Sequence, residues 1–438
     1  DTGGGAFLVP YLIMLAFVGM PMMLMEMSFG QYCSQGVLTM WNAIPCMRGV
    51  GYGILIVVTI SRMSSMLITA YSFYYLFASF QKTLPWTGCH NDWNTIYCSE
   101  LLNECIDQSG IIVGNGSCVL TSSMTSSELV DYGIHQLPSG VYDLSNYTDP
   151  LIGQRLRASE EYWSLRVRRE SESMNETGNV NWDVALCLLL SWLVVFLCLI
   201  NGIKTSESLI SLINLFLTTT VTVVYVTATL PYILLTVLLV LGLTLPGHRD
   251  GIYFFVYPRW EAIKLPKAWL NAATQILFSL GTAWGGVVTL SSYSKFDNNA
   301  FIDGICLSIA NSATSIYAGF AIFSVLGFMA HELGTDISNV VSQGYGLAFI
   351  VYPEAITLLP AAPLWSILFF LMLISVALDS HFAGVETAVT AIVDSLPNKW
   401  KFHKRLILLA YCTLDSSCVS FVQPRPDHTG PTSSTSQQ

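Results

Sequence analysis

Gln275, Ser279, Gly281 and the pair Gly285-Gly286 interrupt an apolar stretch, WLNAATQILFSLGTAWGGVVTLSSY, at residues 269–293. A plain anchor helix would carry Leu and Val at those positions. Irregular backbone at membrane depth is tolerated only where protein buries it or where it lines a water-filled cavity. A broken helix with free carbonyls and hydroxyls near the midplane is how secondary transporters build ion and substrate sites. Small residues also let helices pack closely, so the same positions have a structural reading. Weighed together, the two readings favour transport.

Asp379 lies within LFFLMLISVALDSHFAGVETAVTAIV, an apolar span in which a carboxylate is costly. Ionisable groups at that depth usually face the bundle interior and mark ion or substrate paths. With Ser380 and nearby carbonyls it offers hard oxygen ligands suited to a small alkali cation. Asp379 bonded to a neighbouring helix is the structural alternative. Glu386, further along the same run, is a weaker candidate, and Glu26 is expected to act as a gate or packing partner. Asn311 and Ser315 are four apart and share one helical face. An amide and a hydroxyl there can coordinate a cation through oxygen or hold an anion through N–H and O–H donors. Ser, Thr and Asn are also ordinary interhelical glue, and for this pair alone that reading prevails. No nucleotide-binding loop, HExxH, CxxC or nucleophile elbow occurs in the sequence, so nothing supports an enzyme. His331 and His381 are isolated and read as structural.

These residues need spanning helices to position them, and the composition provides for that. The 438 residues are 53% hydrophobic and only 11% charged, against about 25% charged in soluble domains. This excludes a conventional cytosolic enzyme and predicts an all-α polytopic membrane protein in contact with lipid. The net charge of −10 argues against a nucleic-acid partner. Runs of spanning length occur at about 6–29, 51–80, 183–200, 208–245, 268–290, 301–330 and 365–393, about seven spans.

A polar segment at 81–182 separates the second run from the third. It holds three glycosylation sequons, at Asn115, Asn146 and Asn175, and four cysteines, Cys89, Cys98, Cys105 and Cys118. Sequons are acceptors only on the lumenal or extracellular side, which places this loop outside. Cys89 and Cys98 lie close together in that oxidising compartment, which predicts a disulfide. Cys187, Cys198 and Cys306, inside the spans, read as small core residues. Lys399, Lys401, Lys404 and Arg405 form a basic cluster expected on the cytoplasmic side. That cluster favours a single crossing for 208–245, since two would push it outside. The expected organisation is therefore two helices in 1–80, the extracellular loop 81–182, and helices in 183–405. The last block includes an unwound segment near 278–286 and an extracellular loop at 331–364. Residues 406–438 are expected to form an atypical, disordered tail, rich in Pro, Ser and Thr towards its end. Because the chain starts at Asp1 rather than Met, it is expected to be a fragment or the product of an incomplete gene model.

GGGAFLVPY at 3–11, the Cys89/Cys98 loop, ATQILFSLGTAWGG at 273–286, ANSATSIYAGF at 310–320 and ALDSHF at 377–382 carry a resemblance. They are similar to the solute carrier 6 family of sodium- and chloride-coupled neurotransmitter and amino acid transporters. The resemblance extends over roughly residues 3–405. It implies an inverted-repeat sodium-symporter bundle, with this chain equivalent to family helices 2–8. It also implies a plasma-membrane, multi-pass symporter that works by alternating access on neutral and also cationic amino acids. Sodium and chloride would be co-transported, with no organic cofactor.

By the same resemblance, Tyr11, Gln275, Ser279, Asn311 and Ser315 would hold chloride. Ser279 and Asn311 would serve one sodium; the carbonyl of Val376 with Asp379 and Ser380 would serve the other. Substrate would lie against Phe278, Ser279, Gly281, Trp284 and Ser380. Three features depart from the family pattern. Ser65 stands where a substrate-contacting tyrosine is expected, Arg62 adds a charge nearby, and 207–222 resembles an insertion. The alternative expectation is a non-transporting truncated isoform or pseudo-transporter that associates with full-length family members.

Overall fold

In a computed structural model, the described residues are 4–99, 105, 110–112, 118–121, 135–136, 142–143, 156–169, 181–200, 213–332, 336–337, 346–397 and 403–421. They fall into two compact units. The first comprises Asp1–Leu76, Trp182–Val341 and Leu368–Gln423; the second comprises Phe77–Asn181, Ser342–Ile367 and Pro424–Gln438.

The first unit is helical, as hydrocarbon demands of a chain that must satisfy its backbone within each segment. Its elements are α1 (Leu8–Met14), α2 (Met20–Cys33), α3 (Arg48–Ala78), α4 (Trp182–Leu199), α5 (Ile213–Thr244) and α6 (His248–Val256). They continue with α7 (Pro266–Leu280), α8 (Gly286–Ser291), α9 (Ala300–Glu332), α10 (Ala362–Ser395) and α11 (Lys404–Phe421). A π-helical turn at Leu15–Gly19 joins α1 to α2 into one continuous rod. Helices α6 and α9 pack closely, and glycine permits it. A Cβ on Gly251 would lie 1.9 Å from the Phe323 carbonyl oxygen and 2.9 Å from the Gly327 Cα. A side chain there would force those backbones apart.

About seven spans are expected from the sequence. Among the described residues, five helices are long and apolar enough to cross a membrane, or up to six if a pair bent by 114° is one span. That pair is Thr229–Thr244 with His248–Val256. The fifth run does not qualify because it is cut into helices of 15 and 6 residues. Part of the segment expected to be a disordered tail from 406 onward is helical. Residues Lys404–Phe421 form a helix that packs on α4, with Trp192 edge-on to Tyr411 at 6.5 Å. One face of it, Leu408, Tyr411 and Cys412, is buried, while Leu406, Leu409 and Leu414 are exposed; the helix precedes the Pro/Ser/Thr-rich end on which the expectation rested. Cys306 is exposed rather than a core residue, whereas Cys187 is buried.

The second unit is held by its own polar and aromatic contacts. Two short antiparallel ribbons, Gly110–Ile112 with Cys118–Leu120 and His135–Gln136 with Tyr142–Asp143, lie in the long polar segment. Cys89 is bonded to Cys98, and Cys105 to Cys118, a second bridge that the sequence reading did not pair. The buried Glu161 carboxylate accepts hydrogen bonds from Asn94 Nδ2 at 3.0 Å and from the backbone N–H and hydroxyl of Thr95. Glu354 receives Arg157 at 3.3 Å and Ser159 at 3.0 Å. Trp163 stacks on Phe349 with ring centroids 4.8 Å apart. Asn115, Asn146 and Asn175 lie outside the described residues.

Candidate substrate and ion site

The break between α7 and α8 is the centre of the site. The chain takes positive φ three times within five residues, at Gly281 (64°), Ala283 (66°) and Gly285 (77°). Glycine adopts that region without cost; alanine does so only when its surroundings hold it. Glu26 of α2 provides the hold, accepting the Ala283 N–H on Oε1 at 2.5 Å. The carboxylate thus binds a backbone donor freed where the helix stops. A side chain on Gly285 would also collide with Val37 and Ile54, at 2.5 and 2.7 Å. Phe278 and Trp284 flank the break and meet edge-on at 5.7 Å.

Two neighbouring helices bring polar groups to the inner end of α7. Asn311 of α9 donates through Nδ2 to the Ser279 hydroxyl at 2.7 Å. Tyr11 of α1 is buried in an apolar cluster with Leu15, Ile276 and Leu280, which fixes α1 against α7. Its hydroxyl donates to Ser312 Oγ at 3.2 Å. Ser312 was not singled out in the sequence, although it adjoins Asn311 in the same polar run. Ser315 donates back to the Asn311 carbonyl at 3.1 Å and is exposed, as is Gln275.

A second group gathers on α10. Asp379 is half-buried and Ser380 exposed, the latter donating weakly to the Val376 carbonyl at 3.4 Å. Arg62 of α3, met in the sequence only as an unexpected charge, reaches this group. It donates through Nη1 to the Ser380 carbonyl at 2.9 Å, and its guanidinium carbon lies 5.9 Å from the Trp284 ring centre. The structure therefore connects Ser279 to Asn311, Tyr11 to Ser312, and Arg62 to both Trp284 and Ser380.

Glu386, the weaker carboxylate candidate on α10, and the neighbouring His381 are structurally engaged. Glu386 is almost fully buried and accepts from Lys404 at 2.5 Å and from Tyr293 at 3.0 Å. His381, also buried, meets Thr69 Oγ1 at 3.0 Å.

Comparison with known proteins gives this arrangement a context. The profile of the Sodium:neurotransmitter symporter family matches residues 1–424. The chain is 46% identical over 399 residues to the sodium- and chloride-dependent glycine transporter 1 of Xenopus laevis, covering 91% of this chain and 57% of that protein. It is 43% identical over 419 residues to glycine transporter 2 of Xenopus laevis, covering 94% and 49%. It is 42% identical over 421 residues to the human sodium- and chloride-dependent neutral and basic amino acid transporter B(0+), covering 94% and 60%. On sequence alone, LPW at 84–86, MNETG at 174–178 and SSYSKF at 291–296 resemble this last relative. The chain thus spans about half to three fifths of the length of these relatives. The crystal structure of MhsT in complex with L-phenylalanine has the same fold, with a TM-score of 0.62 at 18% identity over 97% of this chain and 73% of that one. On the profile match and these identities, the chain belongs to the sodium:neurotransmitter symporter family.

Proposed function

We propose that this chain carries the substrate and ion machinery of a sodium- and chloride-dependent amino acid symporter working by alternating access. The observation that carries the reading is the 2.7 Å pair between Asn311 and Ser279, made where α7 approaches its break. It brings the Asn311 amide and the Ser279 hydroxyl to one point of the site; sodium would take the oxygens of both, hard ligands of the kind it prefers, with the amide turned to present its oxygen in place of its N–H. The second sodium would use the Val376 carbonyl, Asp379 and Ser380. Chloride would be held by donors from Tyr11, Gln275, Ser279, Asn311 and Ser315. Reaching the anion requires the Tyr11 hydroxyl to turn from Ser312 and the Ser315 hydroxyl from the Asn311 carbonyl.

The amino acid would rest against Phe278, Ser279, Gly281, Trp284 and Ser380. Backbone groups freed at the break supply directional donors and acceptors, as in other transporters with discontinuous helices. The two aromatic rings would give its side chain an apolar wall. The reading includes a plasma-membrane location, with the 81–182 loop outside and glycans at Asn115, Asn146 and Asn175. The names of the relatives and the oxidised cysteine pairs support it.

The test is uptake of labelled amino acids by cells expressing the chain, with sodium replaced by choline and chloride by gluconate. Uptake that needs both ions and disappears in Asp379→Ala is the expected result. Uptake indifferent to both ions contradicts the proposal.

A further inference from the structure

We infer that Arg62 binds a carboxylate of the transported substrate and thereby sets which amino acids the chain accepts; this rests on the symporter reading above. Arg62 sits midway along the 31-residue α3, where a guanidinium is costly and charged groups usually line a substrate path. It touches two members of the candidate substrate site, through its 2.9 Å hydrogen bond to Ser380 and its position 5.9 Å from the Trp284 ring centre. Its remaining hydrogen-bond partner is neutral and distant, Ser61 Oγ at 3.5 Å. Among the described residues no carboxylate forms an ion pair with it. A positive charge that no described carboxylate pairs is thus held beside the site.

The surroundings are shaped to that side chain. A Cβ on Gly384 of α10 would lie 2.3 Å from Arg62 Cδ, so the bare glycine makes room for the arginine stem. A guanidinium is planar and presents its N–H groups as a fork that matches a carboxylate. Ser65, one helical turn further along α3, is too short to offer the donor a tyrosine would. Arg62 provides one instead, with full charge. The same charge repels a lysine side chain, so cationic amino acids are expected to be poor substrates.

The carboxylate has two sources, the α-carboxylate common to all amino acids or a second one on an acidic side chain. Uptake kinetics of labelled leucine, glutamate and lysine separate them when measured for the unmodified chain, Arg62→Gln, Arg62→Lys and Gly384→Ala, each normalised to surface biotinylation. Loss of one charge-assisted pair raises KM by roughly tenfold to a hundredfold. A rise for glutamate alone in Arg62→Gln assigns the side-chain carboxylate; a rise for leucine and glutamate together assigns the α-carboxylate. Gly384→Ala, which displaces the arginine without removing it, is expected to shift KM in the same direction.

Unchanged KM values with a lower maximal rate make Arg62 a strut between α3 and α10 and overturn the inference. So does failure of every variant to reach the surface. Absence of uptake of all three amino acids by the unmodified chain overturns the symporter reading, and this inference with it.

Discussion

Asn311 donates to the Ser279 hydroxyl at 2.7 Å across the α7–α9 contact, and in the proposed site the same two residues face both a cation and an anion. Removing either should therefore affect sodium and chloride together. Asn311→Ala and Ser279→Ala are each expected to raise the sodium concentration for half-maximal uptake by about tenfold, a loss of about 1.4 kcal/mol. The double variant should be little worse than either single one, since contacting residues are non-additive. Ion titration of uptake measures this; simple additivity with chloride dependence untouched contradicts it.

Glu26 controls the shape of the break. Glu26→Ala leaves the Ala283 N–H without its acceptor, at a cost of roughly 1–3 kcal/mol. The detergent-solubilised variant should melt at a lower temperature than the unmodified chain, with Glu26→Gln in between because an amide oxygen still accepts. A melting temperature unchanged in Glu26→Ala shows that the break stands without its carboxylate.

The Glu386–Lys404 pair joins α10 to the start of α11. The glutamate side chain is 2% exposed and the lysine 34%, so solvent screens only one partner. Lys404→Met strands a buried carboxylate and is expected to destabilise by about 3 kcal/mol, the lower end for a broken buried pair. Adding Glu386→Gln should recover most of that loss. Chemical denaturation of the three variants measures the coupling, and an additive double variant contradicts it.

In the loop unit, the Cys89–Cys98 bridge closes a separation of nine residues. Chain entropy assigns a loop of this size roughly 2–3 kcal/mol. Cys98→Ser is expected to make the loop more sensitive to protease on intact cells and to lower the amount at the surface. Equal protease resistance shows that the aromatic cluster of Trp86, Trp93 and Tyr162 suffices alone.

Much of this is readable in the sequence because its physical causes are local. Gly281 and Gly285 in an apolar run announce a backbone that leaves the helix, since a glycine-free run would stay helical. Cys89 and Cys98 are near enough in sequence for their pairing to be read directly. Ser312 is not readable as the partner of Tyr11, because the two are 301 residues apart and one helical position decides which hydroxyl is met. Glu386 reads as a lone intramembrane carboxylate only because its partners, Lys404 and Tyr293, lie on other elements. Helix α11 is hidden for another reason. The composition of the segment is dominated by its Pro/Ser/Thr-rich end, while the helix depends on packing against α4. Arg62 stands out in the sequence as a misplaced charge, and only the fold puts it beside Trp284 and Ser380.

The most direct measurement is gradient-driven uptake by the purified chain in proteoliposomes, with sodium and chloride high outside and a labelled amino acid supplied there. The account predicts accumulation above the outside concentration, collapse when the sodium gradient is abolished, and none in Asp379→Ala. Equilibration to the same level with or without the gradient, or no entry for any amino acid, would contradict it.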